Sequence, residues 1–254
     1  MTASLARPRR LSELTWPKVQ EALENGCTTI IFGAGATEQH GPHMPLMTDA
    51  LIGEEVTARV AVRLPDVLMG PTLGLGISPH HMSFPGTISL TEELFLEQVT
   101  QYVASLAAHG FRKVFAIPTH GGNFEPLETL RQKTGGWIGE AEFVPYTDLL
   151  ETIGMFEAVA AADGISAEDC GAHAGDFETS IVLALRPELV DMSRAEAGFL
   201  GKLDAPTAQR LFSGGTRALS ENGILGNPIA ASAERGERYL QALEDLLVDY
   251  FAAH

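Results

Sequence analysis

A chain of 254 residues, 45% hydrophobic and 20% charged, has the composition of an ordinary globular protein and enough length to bury a substantial core. Its formal charge of −16, from 17 Lys and Arg against 33 Asp and Glu, argues against a nucleic-acid backbone as partner. Cys27 and Cys170 are too few for a disulfide framework, Met1 to Leu14 holds no signal-peptide core, and no run approaches the ~20 apolar residues that span a bilayer. The expectation is a cytoplasmic protein with no membrane partner.

In chain order, Trp16 to Asn25 reads as a short helix stopped by Gly26, with Pro17 in its first turn. Thr28 to Phe32 is an apolar, β-branched run and reads as a buried strand. Ala50 to Leu64 follows as a long helix, with Asp49 placed where a helix cap would sit. Val67 to Leu73 is the next strand, Glu92 to His109 a helix capped by Ser89 or Thr91, and Lys113 to Pro118 a further strand. Asn123 starts a helix towards Gln132, Glu142 to Pro145 is a strand, and Leu149 to Ala162 and Tyr239 to Ala253 are helices. Strands alternating with helices predict a single α/β domain over 1–254, three-layer α/β/α with a mostly parallel central sheet. Sites in such folds lie beyond the carboxyl ends of the strands.

Three loops at those ends are rich in ligand atoms. Glu38, His40 and Asp49 share the loop after the first strand, and Glu38 and His40, two residues apart, project from one face of an extended segment. Gly41, Pro42 and Pro45 turn the chain so that Asp49 can return to the same point. His120 follows the Lys113 to Pro118 strand inside His120-Gly121-Gly122-Asn123, and His173 lies between glycines shortly before Glu178, which sits near a helix start. Oxygen and nitrogen donors of this kind suit a divalent cation and fit zinc, manganese or iron alike, with zinc taken as the first expectation. His43, His80, His109 and His254 are read as structural residues. Two other readings are weaker. In Gly33-Ala34-Gly35-Ala36-Thr37-Glu38 a carboxylate stands where a dinucleotide loop needs its third glycine. Cys170 with His173 lacks an orienting partner for a thiol nucleophile, so Cys170 reads as a small buried hydrophobe.

With these residues in place, the chain resembles the creatininase (creatinine amidohydrolase) family. The likeness rests on Glu38-Gln39-His40-Gly41-Pro42-His43 with Pro45 and Asp49, on Phe84-Pro85-Gly86-Thr87 behind His81, and on His120-Gly121-Gly122-Asn123. It continues through His173-Ala174-Gly175 with Glu178-Thr179-Ser180, and through Gly223 to Pro228 and Ala231 to Glu234. The resemblance implies a two-metal hydrolase of C–N bonds acting on a small molecule, assembled as a homo-oligomer, often a hexamer. Carried over by position, Glu38, Asp49 and His120 hold one metal, and His40 and Asp49 with a further carboxylate hold the other. His173 matches the histidine assigned to proton transfer.

Creatininase proper has a glutamate where this chain has Gly122, so Glu178 is expected to supply the missing carboxylate, as ligand and catalytic residue; Glu125 is a weaker candidate on an outward helix face. The expected reaction is hydrolysis of an amide, cyclic amide or formamide through a metal-bound hydroxide, with His81 and Phe84 binding the substrate. A precursor-processing peptidase of the same family and a non-catalytic metal-binding protein are the alternatives.

Overall fold

The computed structural model describes residues 7–202 and 204–254. Its elements in chain order are α1 (Trp16–Glu24), β1 (Thr29–Ala34), α2 (Thr48–Arg63), β2 (Val67–Met69), α3 (Glu92–Ala108), β3 (Lys113–Pro118) and α4 (Gly121–Lys133). They continue with β4 (Trp137–Ile138), β5 (Ala141–Pro145), α5 (Leu149–Ala162), α6 (Ala167–Cys170), α7 (Asp176–Leu185), α8 (Ala205–Gly214) and α9 (Ala233–Ala252). The five strands form one sheet in the order β2-β1-β3-β5-β4, parallel except for the β4–β5 pair.

Period-two alternation along the strands divides the core. Ile31, Met69, Phe115 and Val144 face α2, α5 and α9, where they meet Val56, Phe156 and Leu247. Ile30, Phe32, Val114 and Phe143 face the other way, onto Phe95 and Val99 of α3 and Leu127 of α4. Because both faces are covered, β1 and β3 are apolar at almost every position rather than alternating. The chain leaves β1 towards one sheet edge and β3 towards the other. The crevice at the carboxyl ends of these two strands is therefore the switch point where an open α/β sheet binds ligands.

Several boundaries differ from the sequence expectation. β1 runs on to Ala34, while β2 ends at Met69 because Gly70 and Pro71 follow, and Pro71 has no N–H for a ladder; Leu73 keeps a lone bridge to Ala34. Asp49 is not a cap. The helix cap is Met47, and Asp49 lies inside the first turn of α2 with its side chain free for other work. Thr91, not Ser89, caps α3 by accepting from the Leu94 N–H. β4 and α8 were not anticipated, and α9 begins at Ala233, six residues early, capped by Ser232.

α7 and α9 are locked by a buried ion pair. Arg235 donates from Nε and Nη2 to the two oxygens of Asp176, at 2.8 and 2.6 Å, and Tyr239 donates its hydroxyl to Asp176 Oδ2 at 2.7 Å. Gly236 lets the helices approach, since a Cβ there would stand 1.9 Å from the Ser180 carbonyl oxygen. Asp176 is fully buried and Arg235 nearly so. Removing the carboxylate leaves the guanidinium with Asp163 at 3.1 Å and the Ala230 carbonyl and takes the acceptor from Tyr239, and Asp176→Ala is expected to cost about 3 kcal/mol, the lower end for a broken buried pair. Urea denaturation checks this; a midpoint within experimental error of the parent's contradicts it.

Candidate metal centre

The loop after β1 is closed by the Glu38 N–H donating to the Leu46 carbonyl at 2.9 Å, which returns the chain to the first turn of α2 beside Glu38. Gly35 allows that return, because a Cβ there would lie 2.6 Å from the Ala50 nitrogen. His120 stands at the end of β3. Leu225 pins the His173 loop, exchanging backbone hydrogen bonds with His173 at 2.8 and 3.2 Å. Ala174 takes a left-handed φ of 54°, uncommon for a residue with a Cβ, and its N–H donates to Glu178 Oε2. Glu38, His40, Asp49, His120, His173 and Glu178 are all buried.

Their atoms converge. Asp49 Oδ1 lies 3.1 Å from His40 Nε2 and Asp49 Oδ2 lies 3.3 Å from His120 Nδ1. Glu38 Oε1 is 3.3 Å from His120 Nδ1, 3.4 Å from His81 Nε2 and 3.6 Å from His173 Nδ1, and Glu178 Oε1 is 3.7 Å from His40 Nε2. The far ring nitrogens fix which atom of each imidazole points inward. His40 Nδ1 donates to the Glu38 carbonyl at 3.1 Å, His120 Nε2 to the Ile77 carbonyl at 2.9 Å, and His173 Nε2 to the Gln39 carbonyl at 2.7 Å. A carbonyl can only accept, so in each case the inward nitrogen carries the lone pair, the usual support for a metal-binding histidine. His81 is the reverse: the Gln39 amide nitrogen sits 2.7 Å from its Nδ1, which leaves the Nε2 hydrogen for Glu38.

The donor set fits divalent cations. Glu38 Oε2 and Asp49 Oδ2 are buried with no hydrogen-bond partner, an expensive condition for carboxylate oxygens unless a cation satisfies them. Three carboxylates and two lone-pair imidazoles carry a charge of −3, which a pair of dications offsets. Without cations, protons take their place. Burial lowers the proton affinity of His40 and His120, but Asp49 with Glu178, and Glu38 with Asp49, more than offset it and raise both well above the ordinary histidine value. Burial by itself would raise the Glu38 and Asp49 carboxyls, yet the facing imidazoles hold both below the usual carboxylate range. His173 is pushed down by burial and by His40, which keeps its ring neutral.

A cavity of about 190 Å³ opens from this cluster. His81 lines it. Phe84 does not: its ring lies under the Arg217 guanidinium, 4.2 Å from the ring centroid, so the structure places it outside the pocket. His80, read from sequence as structural, does line the cavity, nearly parallel to the His120 ring with centroids 6.1 Å apart. Leu211 and Phe212 of α8 also line it. Neither carries a sequence signal for a site, since they belong to an amphipathic helix remote in the chain. His43 is spent on Thr179 Oγ1 at 2.9 Å. Cys170 is a buried thiol pushed up to about 12 by desolvation, unfit as a nucleophile at neutral pH. Glu125 points to solvent. Gly122 has a local cause: a Cβ there would stand 2.3 Å from the Ile77 carbonyl oxygen and 2.6 Å from His120 Nε2, on top of the bond that orients His120.

A buried carboxylate–imidazole cluster at the switch point of an α/β sheet defines a metal-dependent hydrolase. The family profile described as creatinine amidohydrolase matches residues 12–251, and the chain belongs to this creatininase family of amidohydrolases. It is 34% identical over 252 residues to the mycofactocin precursor peptide peptidase of Mycobacterium ulcerans (strain Agy99), covering 94% of this chain and 86% of that one. It is 29% identical over 255 residues to the creatinine amidohydrolase of Pseudomonas putida, covering 94% of each. Among solved structures, a mutant creatininase of Zn–Zn type superposes with a TM-score of 0.78 at 25% identity, over 96% of this chain and 97% of that one.

Gly122→Ala is expected to disturb the His120–Ile77 bond and weaken divalent-cation binding about 10–100-fold, the usual cost of losing such support. Competition with a chromophoric chelator reads the affinity. Unchanged affinity contradicts the assignment of Gly122 and the Ile77 carbonyl to orienting His120.

Proposed function

We propose that the chain hydrolyses the C–N bond of a small amide, cyclic amide or formamide at a centre of two divalent cations, with zinc as the resident metal. The observation that carries this reading is Asp49, whose two oxygens face His40 on one side and His120 on the other. Glu38, Asp49 and His120 would hold one cation, and His40, Asp49 and Glu178 the other. Bound there, the pair would supply Lewis-acid polarisation of a carbonyl and a nucleophile available near neutral pH. The Zn–Zn type of the superposable creatininase supports both the metal and the number.

The chain's own residues carry the proton. His173 presents a basic Nδ1 towards the cluster while its Nε2 hydrogen is committed to the Gln39 carbonyl. It can accept the proton lost by the attacking water at Nδ1 and return it to the departing nitrogen, as a general base and then a general acid. His81 holds the Glu38 carboxylate in place and borders the space left for the substrate.

A second reading, cleavage of an amide at the end of a peptide, is favoured by the 34% identity to a peptide peptidase, against 29% to a creatinine amidohydrolase. Turnover of a panel containing lactams, formamides, N-acyl amides and short peptides separates the two. The small-molecule reading expects turnover confined to the first three classes, and activity on peptides alone contradicts it.

Two further outcomes test the centre. Dialysis against a chelator is expected to abolish turnover and zinc to restore it; a metal-free protein with full activity overturns the metal reading. His173→Gln is expected to lower kcat by about 10²–10⁴, the range for a lost general acid–base, while the zinc content stays at the parent value. A variant that loses zinc in proportion to activity assigns His173 to metal binding instead.

A further inference from the structure

The cavity beside the cluster is lined in a way that metal chemistry does not require. α5 lays Leu149, Thr152, Ile153 and Phe156 along one wall. The spacing of three, four and seven residues puts them on a single helix face, while Leu150, turned off that face, is 80% exposed. Phe177 stacks on Phe156 with ring centroids 4.5 Å apart and planes 19° from parallel, and both rings reach the same space. Leu243 of α9 and Leu211 of α8 add apolar surface from two other directions.

The two hydroxyls on these walls are spent. The Thr119 hydroxyl donates to the Asp49 carbonyl at 2.8 Å and the Thr152 hydroxyl to the Asp148 carbonyl at 3.0 Å. Among the described residues no Lys or Arg lines the cavity, and its ionisable side chains are the carboxylates and imidazoles gathered at the metal-centre end. Away from the cluster the walls offer a carboxylate no counter-ion, and an unpaired charge costs heavily in a desolvated space. An apolar group meets side chains that lose contact with water when it binds. At about 190 Å³ the volume exceeds the ~150 Å³ of a Leu/Ile/Phe-lined cavity that holds benzene.

We infer that this cavity is a subsite for an apolar side group, of benzyl or branched-alkyl size, carried next to the scissile C–N bond of a substrate that bears no negative charge there. The inference rests on the two-metal hydrolase reading and narrows its substrate class. A compact polar heterocycle leaves the subsite empty and gains nothing from it; an amide with one bulky apolar arm fills it.

The test uses the zinc-loaded protein and titration calorimetry with hydroxamates, which bind metal centres without being turned over. Acetohydroxamate reports the metal centre alone. Phenylacetohydroxamate carries a ring on the acyl side, N-benzylacetohydroxamate on the nitrogen side, and succinate monohydroxamate carries a carboxylate. At least one of the ring-bearing probes is expected to bind tenfold or more tightly than acetohydroxamate, and the carboxylate probe no more tightly than it. In Ile153→Phe, which fills the cavity from α5, the advantage of the ring is expected to vanish while acetohydroxamate binds as before.

Rings that add nothing, or a carboxylate probe that binds best, overturn the subsite while leaving the metal centre intact. Absence of any zinc-dependent acetohydroxamate binding instead sinks the two-metal reading, and the subsite falls with it. A Gly-Gly-Phe hydroxamate distinguishes the source of the apolar group: added affinity over the single ring assigns it to a peptide end, and no gain assigns it to a free small amide.

Discussion

The structure depends on where one carboxylate has been put. Asp49 is buried, ionised and held between the imidazoles of His40 and His120. A charge in that position is tolerable only when positive charge faces both of its oxygens. The fold supplies the geometry by bringing Asp49 back on the first turn of α2, at the point where β1 and β3 part to opposite sides of the sheet. The dipole of α2 also favours negative charge in that first turn. Sheet order, loop closure by Glu38 and Leu46, and the Gly35–Ala50 approach all serve this placement.

Around Asp49 the same device recurs three times. The rings of His40, His120 and His173 each give their outer N–H to a backbone carbonyl and turn a lone pair inward. Backbone acceptors are fixed by the fold itself, so the centre is organised before any cation arrives, and little reorganisation is needed on binding. The cost appears elsewhere, in the left-handed turn at Ala174 and at position 122, where a Cβ would press on the Ile77 carbonyl. Gln39 ties the loops together, with its amide nitrogen against His81 Nδ1 and the Gly223 carbonyl and its oxygen accepting from the Gly41 N–H.

Much of this was legible in the sequence, for identifiable reasons. The strands β1 and β3 are buried on both faces, so they appear as unbroken apolar runs, and the polar loops after them stand out by contrast. Glu38, His40 and Asp49 lie close in sequence, and turn residues betray their return. Membership of the family followed from motifs spread over nearly the whole chain. What was hidden depends on long-range contact. The early end of β2 reflects Pro71 within an otherwise strand-like run. Phe84 reads as a pocket aromatic until Arg217, far along the chain, covers it. His80 reads as structural until the fold lays it beside His120. The face of α5 looks like ordinary core periodicity, and only the structure reveals a cavity against it. The reason for Gly122 was likewise invisible, because it concerns a carbonyl at Ile77 in another loop.

A two-metal centre stands or falls on the position of the cations. Anomalous diffraction at the zinc edge from zinc-loaded crystals would locate them. Two peaks sharing Asp49 are expected, one beside Glu38 and His120 and the other beside His40 and Glu178. A map with no peak between these side chains, or with zinc only on surface residues, would contradict that centre.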